Sequence, residues 1–347
     1  MSSTPGNPGI DLQQGINCSM LKTIMLTVLF SLLMPFHAGQ AQNLPPQTPD
    51  KLQGDMTRSL TPDIGGIKQF IEIKTDDPGK PVLLFLSGGP GSSMLNNAAA
   101  FTRILQTRFT IVQWDQRDAG RTLKLNPSSV QPTVEQMESD TLQVIEFVRK
   151  ELKQDKIYLL GSSWGNVLGF HVVKQHPEWL HAYFAVNPVV SQLASEQALL
   201  ATLKAHFKDD PVASKELAGI DPALDTDDDL YYLRKWLFHK EGKDFASSKE
   251  FRDMFFQWAK TWSTVWKTVM TIDLRKSLTT VDCPVYFFVG KNDIQTSAGI
   301  TQEYFSALQA PKKALFLFEH SGHQIHHDEP EKFQRTVIGT LDGKQQR

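Results

Sequence analysis

Ser163 stands in Gly161-Ser162-Ser163-Trp164-Gly165, a Gly-x-Ser-x-Gly sequence between the apolar run Ile157-Tyr158-Leu159-Leu160 and a helical pattern. Strand, tight turn and helix in that order make a nucleophile elbow. The turn leaves no room for a Cβ on either flank, hence Gly161 and Gly165. It would hold Ser163 at its tip, beside a helix N-terminus whose free N–H groups face a developing anion. A serine hydroxyl is a weak nucleophile at neutral pH, so it needs a base, and the base needs an orienting carboxylate. Asp293 follows the apolar run Cys283 to Gly290, and His323 follows Ala314 to Glu319 within Ser321-Gly322-His323. Nucleophile, acid and histidine thus occur in the chain order expected when the serine sits on such an elbow. In this reading His323 takes the Ser163 proton and later returns it to the leaving group, while Asp293 fixes the imidazole tautomer. His320, His326, His327 and Asp328 lie close by, but their spacing matches no helical zinc pattern. No metal and no cofactor is expected.

A second stretch bears on the same chemistry. Ser87-Gly88-Gly89-Pro90-Gly91-Ser92-Ser93 follows the fully apolar run Pro81 to Leu86. It lacks the Gly-Lys-Ser/Thr of a phosphate loop and does not match Gly-x-Gly-x-x-Gly. It reads instead as an oxyanion loop, with the Gly89 N–H paired with the N–H of Trp164, the residue after the nucleophile.

These residues must be placed by a regular framework. Ile67–Lys74 alternates like an early strand, and Asp76-Asp77-Pro78-Gly79 is a turn. Apolar strands are expected at 81–86, 109–115, 157–161, 182–186, 283–290 and 314–319, with helices at 134–152, 164–176, 298–308 and 333–341. Alternating strands and helices imply a doubly wound, mostly parallel α/β sheet. Ligands bind beyond the carboxyl ends of such strands, where Ser163, Gly89, Asp293 and His323 all fall. From Val189 to about Leu278 the alternation stops. The segment is helical in pattern and rich in Trp and Phe, with an acidic run at Asp225–Asp229 that reads as a solvated loop or helix start. It is expected to be a helical cap (189–278) inserted into the core (67–188 and 279–342), excluding water and shaping the substrate pocket. The charged loop Asp115–Thr122 reads as a salt-bridged structural turn.

Composition narrows the class. The chain has 347 residues and a formal net charge of −2. It carries no basic stripe, which argues against nucleic acid as a partner. Leu21–Phe36 is nearly all apolar, with Lys22 in front of its core, Ile24 to Met34, and Ala38-Gly39-Gln40-Ala41 behind, so 1–41 reads as a secretory signal peptide cleaved after Ala41. Met20 offers a second start for the same pattern, and an uncleaved membrane anchor is the alternative. Residues 42–66 would be an N-terminal tail. After cleavage no stable membrane association is expected. Only Cys18 and Cys283 exist, and Cys18 would leave with the signal, so no disulfide framework is expected.

Ser87-Gly88-Gly89-Pro90-Gly91, Trp114-Asp115-Gln116-Arg117, the Ser163 elbow, Gly290-Lys291-Asn292-Asp293 and Ser321-Gly322-His323 together resemble the proline iminopeptidase group of α/β-hydrolases. The likeness runs from about Ile67 to Leu341 and is weakest in the cap. It implies an α/β-hydrolase fold and a serine aminopeptidase that removes N-terminal residues from short peptides, with cap carboxylates holding the substrate amine. Glu196, early in the cap, is the candidate for that role. Three positions depart from the pattern: Ser87 stands where His is usual, Asp118 where Gly is usual, and Thr122 where Ser is common. Acyl transfer to serine serves esters as well as amides, so an esterase or lactonase is the alternative. A non-catalytic binding module on the same scaffold is the other.

Overall fold

The protein is described here by a computed structural model covering residues 56–126 and 130–341. The proposed signal segment 1–41 and most of the proposed tail lie outside these residues. One sheet of eight strands organises the chain. Its strands are β1 (Met56–Leu60), β4 (Ile71–Thr75), β5 (Val82–Leu86), β6 (Thr110–Trp114), β7 (Ile157–Ser162), β8 (Leu180–Val186), β9 (Val285–Gly290) and β10 (Lys313–Phe318). The spatial order is β1-β4-β6-β5-β7-β8-β9-β10. From β6 to β10 all neighbours are parallel, while β1 and β4 pair antiparallel at one edge. A small hairpin of β2 (Asp63–Ile64) and β3 (Ile67–Lys68) precedes β4.

Two details differ from the sequence reading. Residues 56–60, assigned to the tail, form the edge strand β1, whose mostly exposed residues give no apolar run to read. The single early strand expected at 67–74 is broken in two. Gln69 turns its side chain inward, where Nε2 donates to Asp140 Oδ2 (2.7 Å) and Oε1 accepts from Trp114 Nε1 (2.8 Å). A buried amide with such partners interrupts the ladder rather than extending it.

The central strands are covered on both faces, which is why they read as unbroken apolar runs. In β5, Leu84 and Leu86 join the cluster under helices α3 (Val134–Glu151) and α4 (Gly165–Gln175), while Leu83 and Phe85 face Phe101 and Phe109. The helices preceding these are the short α1 (Ala98–Thr102) and α2 (Gly120–Leu125). Thr133 caps α3 through Oγ1, which accepts from Gln136 N (3.2 Å), and Pro177 follows the end of α4.

Between β8 and β9 the chain leaves the sheet for five helices: α5 (Gln192–His206), α6 (Pro211–Ala218), α7 (Asp227–Lys240), α8 (Lys249–Met270) and α9 (Leu274–Ser277). Leu274 N donates to Val190 O (2.8 Å), and Ser191 bridges Asp273, so the insertion is closed at its base. The acidic run is a helix start: Thr226 caps α7, and Asp227, Asp228 and Asp229 fill its first turn, where negative charge is favoured. Phe251, Phe255, Trp258, Trp262 and Trp266 are buried on one stripe of α8. They belong to the same apolar cluster as the sheet, so the insertion packs on the core. The chain ends in α10 (Ala298–Ala307), β10, α11 (Ile325–Asp328) and α12 (Pro330–Leu341).

Candidate active site

The winding of the sheet brings two loops together. The chain runs from β5 to β6 on one side, then crosses to β7 on the other side of β5. The carboxyl ends of β5 and β7 are therefore neighbours, with Leu86 opposite Gly161, and they flank the point where strand order reverses. The glycine loop leaves one strand and Ser163 leaves the other.

Ser163 sits at φ +52°, in the left-handed region that costs a non-glycine residue free energy. Neighbouring backbone holds it there. A Cβ at Gly165 would lie 2.2 Å from Leu86 O, so only glycine lets α4 start this close to β5. Ser163 N donates to Val186 O (3.0 Å), tying the tip to β8. Its hydroxyl oxygen lies 2.9 Å from His323 Nε2, and His323 Nδ1 lies 2.9 Å from Asp293 Oδ2. The carboxylate selects the tautomer protonated at Nδ1, so Nε2 accepts from the Ser163 hydroxyl.

Asp293 is 4% exposed. Its Oδ1 accepts from Gln295 N (2.8 Å) and Thr296 N (3.2 Å), and Oδ2 also accepts from Thr296 Oγ1 (2.7 Å). Burial opposes ionisation here. The charge of His323 and the bonds from His323 and Thr296 outweigh it and hold the carboxyl below its ordinary pKa. For His323, burial works against the charged form, but the Asp293 charge and hydrogen bond, with a smaller contribution from Glu241, hold the imidazole above its ordinary pKa.

The loops bearing Asp293 and His323 pack tightly. A Cβ at Gly290 would lie 2.0 Å from Gly322 O. Asn187, at φ +40° just past β8, joins them. Its Oδ1 accepts from Gly290 N (2.8 Å), and its Nδ2 donates to Gly322 O (3.1 Å) and His323 O (2.8 Å). The sequence reading missed this residue. An Asn directly after a strand, able to take a left-handed conformation, was the available signal.

Gly88 and Gly89 line the space before Ser163. Among the described residues, neither the Gly89 nor the Trp164 N–H has a hydrogen-bond acceptor. Gln116 links the two loops: Nε2 donates to Ser87 O (3.0 Å) and Oε1 accepts from Trp164 Nε1 (3.0 Å). The three unusual residues fit their places. Ser87 Oγ donates to Ser92 O (3.1 Å) within the glycine loop. Asp118 takes φ +56°, where glycine would be unstrained. Thr122 Oγ1 accepts from Phe70 N (2.8 Å). Arg117 Nε lies 2.9 Å from the buried Asp140 carboxylate, so this charged loop is a salt-bridged turn.

Glu196, the candidate for the substrate amine, is paired with Arg234 in the structure. It is fully buried on α5, and both carboxylate oxygens face Arg234. The Oε2–Nη1 distance is 2.7 Å, and Gln192 Nε2 also donates to Oε1 (2.7 Å). A buried carboxylate must be neutralised where it sits, and Arg234 does so here. The histidine-rich segment gathers no metal set: no group of three potential ligands occurs among the described residues. Cys283 is buried, and burial pushes its thiol up to about 12.

Comparison with known proteins bears on this geometry. A family model described as serine aminopeptidase, S33, matches residues 78–330. The chain is 28% identical to "Probable aminopeptidase YbaC" of Bacillus subtilis (strain 168) over 299 residues, 79% of this chain and 93% of that protein. It is 24% identical to "Proline iminopeptidase" of Heyndrickxia coagulans over 291 residues, 79% of this chain and 94% of that protein. The crystal structure of a proline iminopeptidase-related protein from Thermus thermophilus superimposes with a TM-score of 0.57 at 22% identity. That match covers 83% of this chain and 98% of the other, a likeness of fold.

Proposed function

The chain belongs to the serine aminopeptidase family S33, and from that premise we propose that Ser163, His323 and Asp293 are the catalytic triad of an α/β-hydrolase that removes N-terminal residues from short peptides. What carries the reading is the unbroken hydrogen-bonded series from Ser163 Oγ through His323 to Asp293. His323 Nε2 takes the hydroxyl proton as Ser163 Oγ attacks the carbonyl carbon of the first peptide bond. The resulting oxyanion is received by the N–H groups of Gly89 and Trp164, which need no reorganisation to do so. The protonated His323 then gives its proton to the departing amine, and the C–N bond breaks. Water, deprotonated by His323, attacks the acyl-enzyme, and His323 returns that proton to Ser163 Oγ as the amino acid is released. Asp293 stays ionised and stabilises the imidazolium.

A panel of aminoacyl arylamides set against short acyl esters tests the substrate class. Turnover of the arylamides supports the peptidase reading, and turnover of esters alone overturns it in favour of an esterase. Export is part of the proposal and rests on residues 1–41. Sequencing the N-terminus of protein recovered outside the cytoplasm should read Gln42 first; protein recovered with 1–41 intact in the membrane fraction would favour the anchor.

A further inference from the structure

The space around Ser163 is not symmetric. A cavity of about 30 Å³ adjoins the serine, bounded by the glycine loop from Gly88 to Met94 on one side and, beside His323, by Asn97, Phe101, Gln324, His326 and His327 on the other. No described residue of the cap helices lines it. The cap groups that act on His323, Glu241 and Arg234, lie elsewhere.

Reaction geometry decides which part of the substrate faces the cavity. In the tetrahedral intermediate the carbon carries the serine oxygen, the oxyanion, the acyl substituent and the leaving group. The oxyanion belongs to Gly89 and Trp164. The leaving atom must take its proton from His323 Nε2, so it lies on the flank of His323. The segment that carries His323 continues directly into His326 and His327. We propose that the cleft walled by Asn97, Phe101, His326 and His327 is the leaving-group subsite, and that it favours uncharged leaving groups over those bearing a free carboxylate. This rests on the acyl-transfer reading of the same serine.

Phe101 is fully buried and His326 is 5% exposed, so Asn97, Gln324 and His327 present the wall's accessible surface and the aromatic cluster backs it. The Phe101 ring meets His326 edge-on at 5.0 Å and 76°, and His327 at 5.7 Å and 86°. The two imidazoles are 4.4 Å apart. Edge-to-face aromatic packing of this kind fixes the rings against one another. Burial, and for His326 also its histidine neighbours, lowers the pKa of both imidazoles, so the wall is uncharged at neutral pH. Placing a carboxylate against an uncharged, partly desolvated aromatic surface costs free energy that an amide does not incur.

The test is a leaving-group series with one acyl part: an aminoacyl-alanine amide, the same dipeptide with a free carboxylate, and the anilide. The wild-type kcat/KM for the dipeptide amide should exceed that for the free acid about tenfold. His327→Lys should invert that order, since it places a cation on the wall, while the ranking among different acyl residues stays as it was. Asn97→Lys, on the half-buried turn before α1, repeats the test without touching the aromatic packing. An amide-to-acid ratio unchanged in both variants, or variants that change the acyl ranking instead, would overturn the assignment. If amides are inert and esters are turned over, the aminopeptidase reading fails while the subsite remains testable. Aminoacyl esters of glycolamide and of glycolate then take the place of the two dipeptides, with the same expected inversion.

Discussion

At the scale of residues, the site works because each group restrains the next. Ser163 is held in a left-handed conformation, His323 is held in one tautomer, and Asp293 is held ionised by three donors besides the imidazole. This fixes the sign of the pH dependence. The proposed mechanism needs neutral His323, and burial opposes its charge, but Asp293 raises its pKa above the ordinary histidine value. Activity should therefore fall on the acid side with a midpoint above that ordinary value, about 6.5, and be fully present above it. The profile reports the coupled pair rather than either group alone. In Asp293→Asn the charge that raises His323 is gone, so the acid limb should move to lower pH while kcat drops by about 10⁴. A pH–rate profile of kcat/KM checks both; a limb that stays in place would mean that Asp293 does not set it.

At the scale of elements, the same residues depend on how strand ends are tied. Asn187 holds Gly290 and the His323 loop in one place through three hydrogen bonds. Asn187→Ala should lower kcat about 10²-fold, as small displacements of a reacting group do, with KM little changed. A KM rise at constant kcat would place the effect in binding instead. In the cap, Arg234→Met leaves Glu196 buried without its partner and should cost about 3–5 kcal/mol in denaturant unfolding. Adding Glu196→Leu should restore most of the loss. These two residues also mark what the sequence did and did not reveal. The hydrogen-bonded set Ser163, His323 and Asp293 was legible because each residue follows an apolar strand, and strand plus turn residues are local signals. The partner of Glu196 was not legible, because Arg234 lies 38 positions away and on another helix, a pairing that no local pattern encodes. The edge strand β1 was missed for a related reason: it is exposed, so neither an apolar run nor an inward face marks it.

At the scale of the whole molecule, a covered parallel sheet supplies a rigid edge and an inserted helical layer closes over it. The two are one packed body: Trp258 Nε1 of α8 donates to Pro90 O (3.0 Å), within the glycine loop that follows β5. The cap thus steadies the loop carrying the Gly89 N–H. The helices between β8 and β9 fall where the alternation of strands and helices stops in the sequence, at 189, and resumes, at 279. The fine packing depends on which aromatic meets which loop, which only the folded chain determines. The claim on which all of this rests is that Ser163 is the nucleophile of an acyl-transfer enzyme. Peptide mapping after reaction with a serine-directed phosphonate tests it most directly. A single adduct on Ser163, formed in proportion to the loss of aminoacyl-arylamide hydrolysis and absent from an inactive Ser163→Ala variant, is the predicted result. An adduct on another residue, or a Ser163→Ala enzyme that keeps its rate, would contradict it.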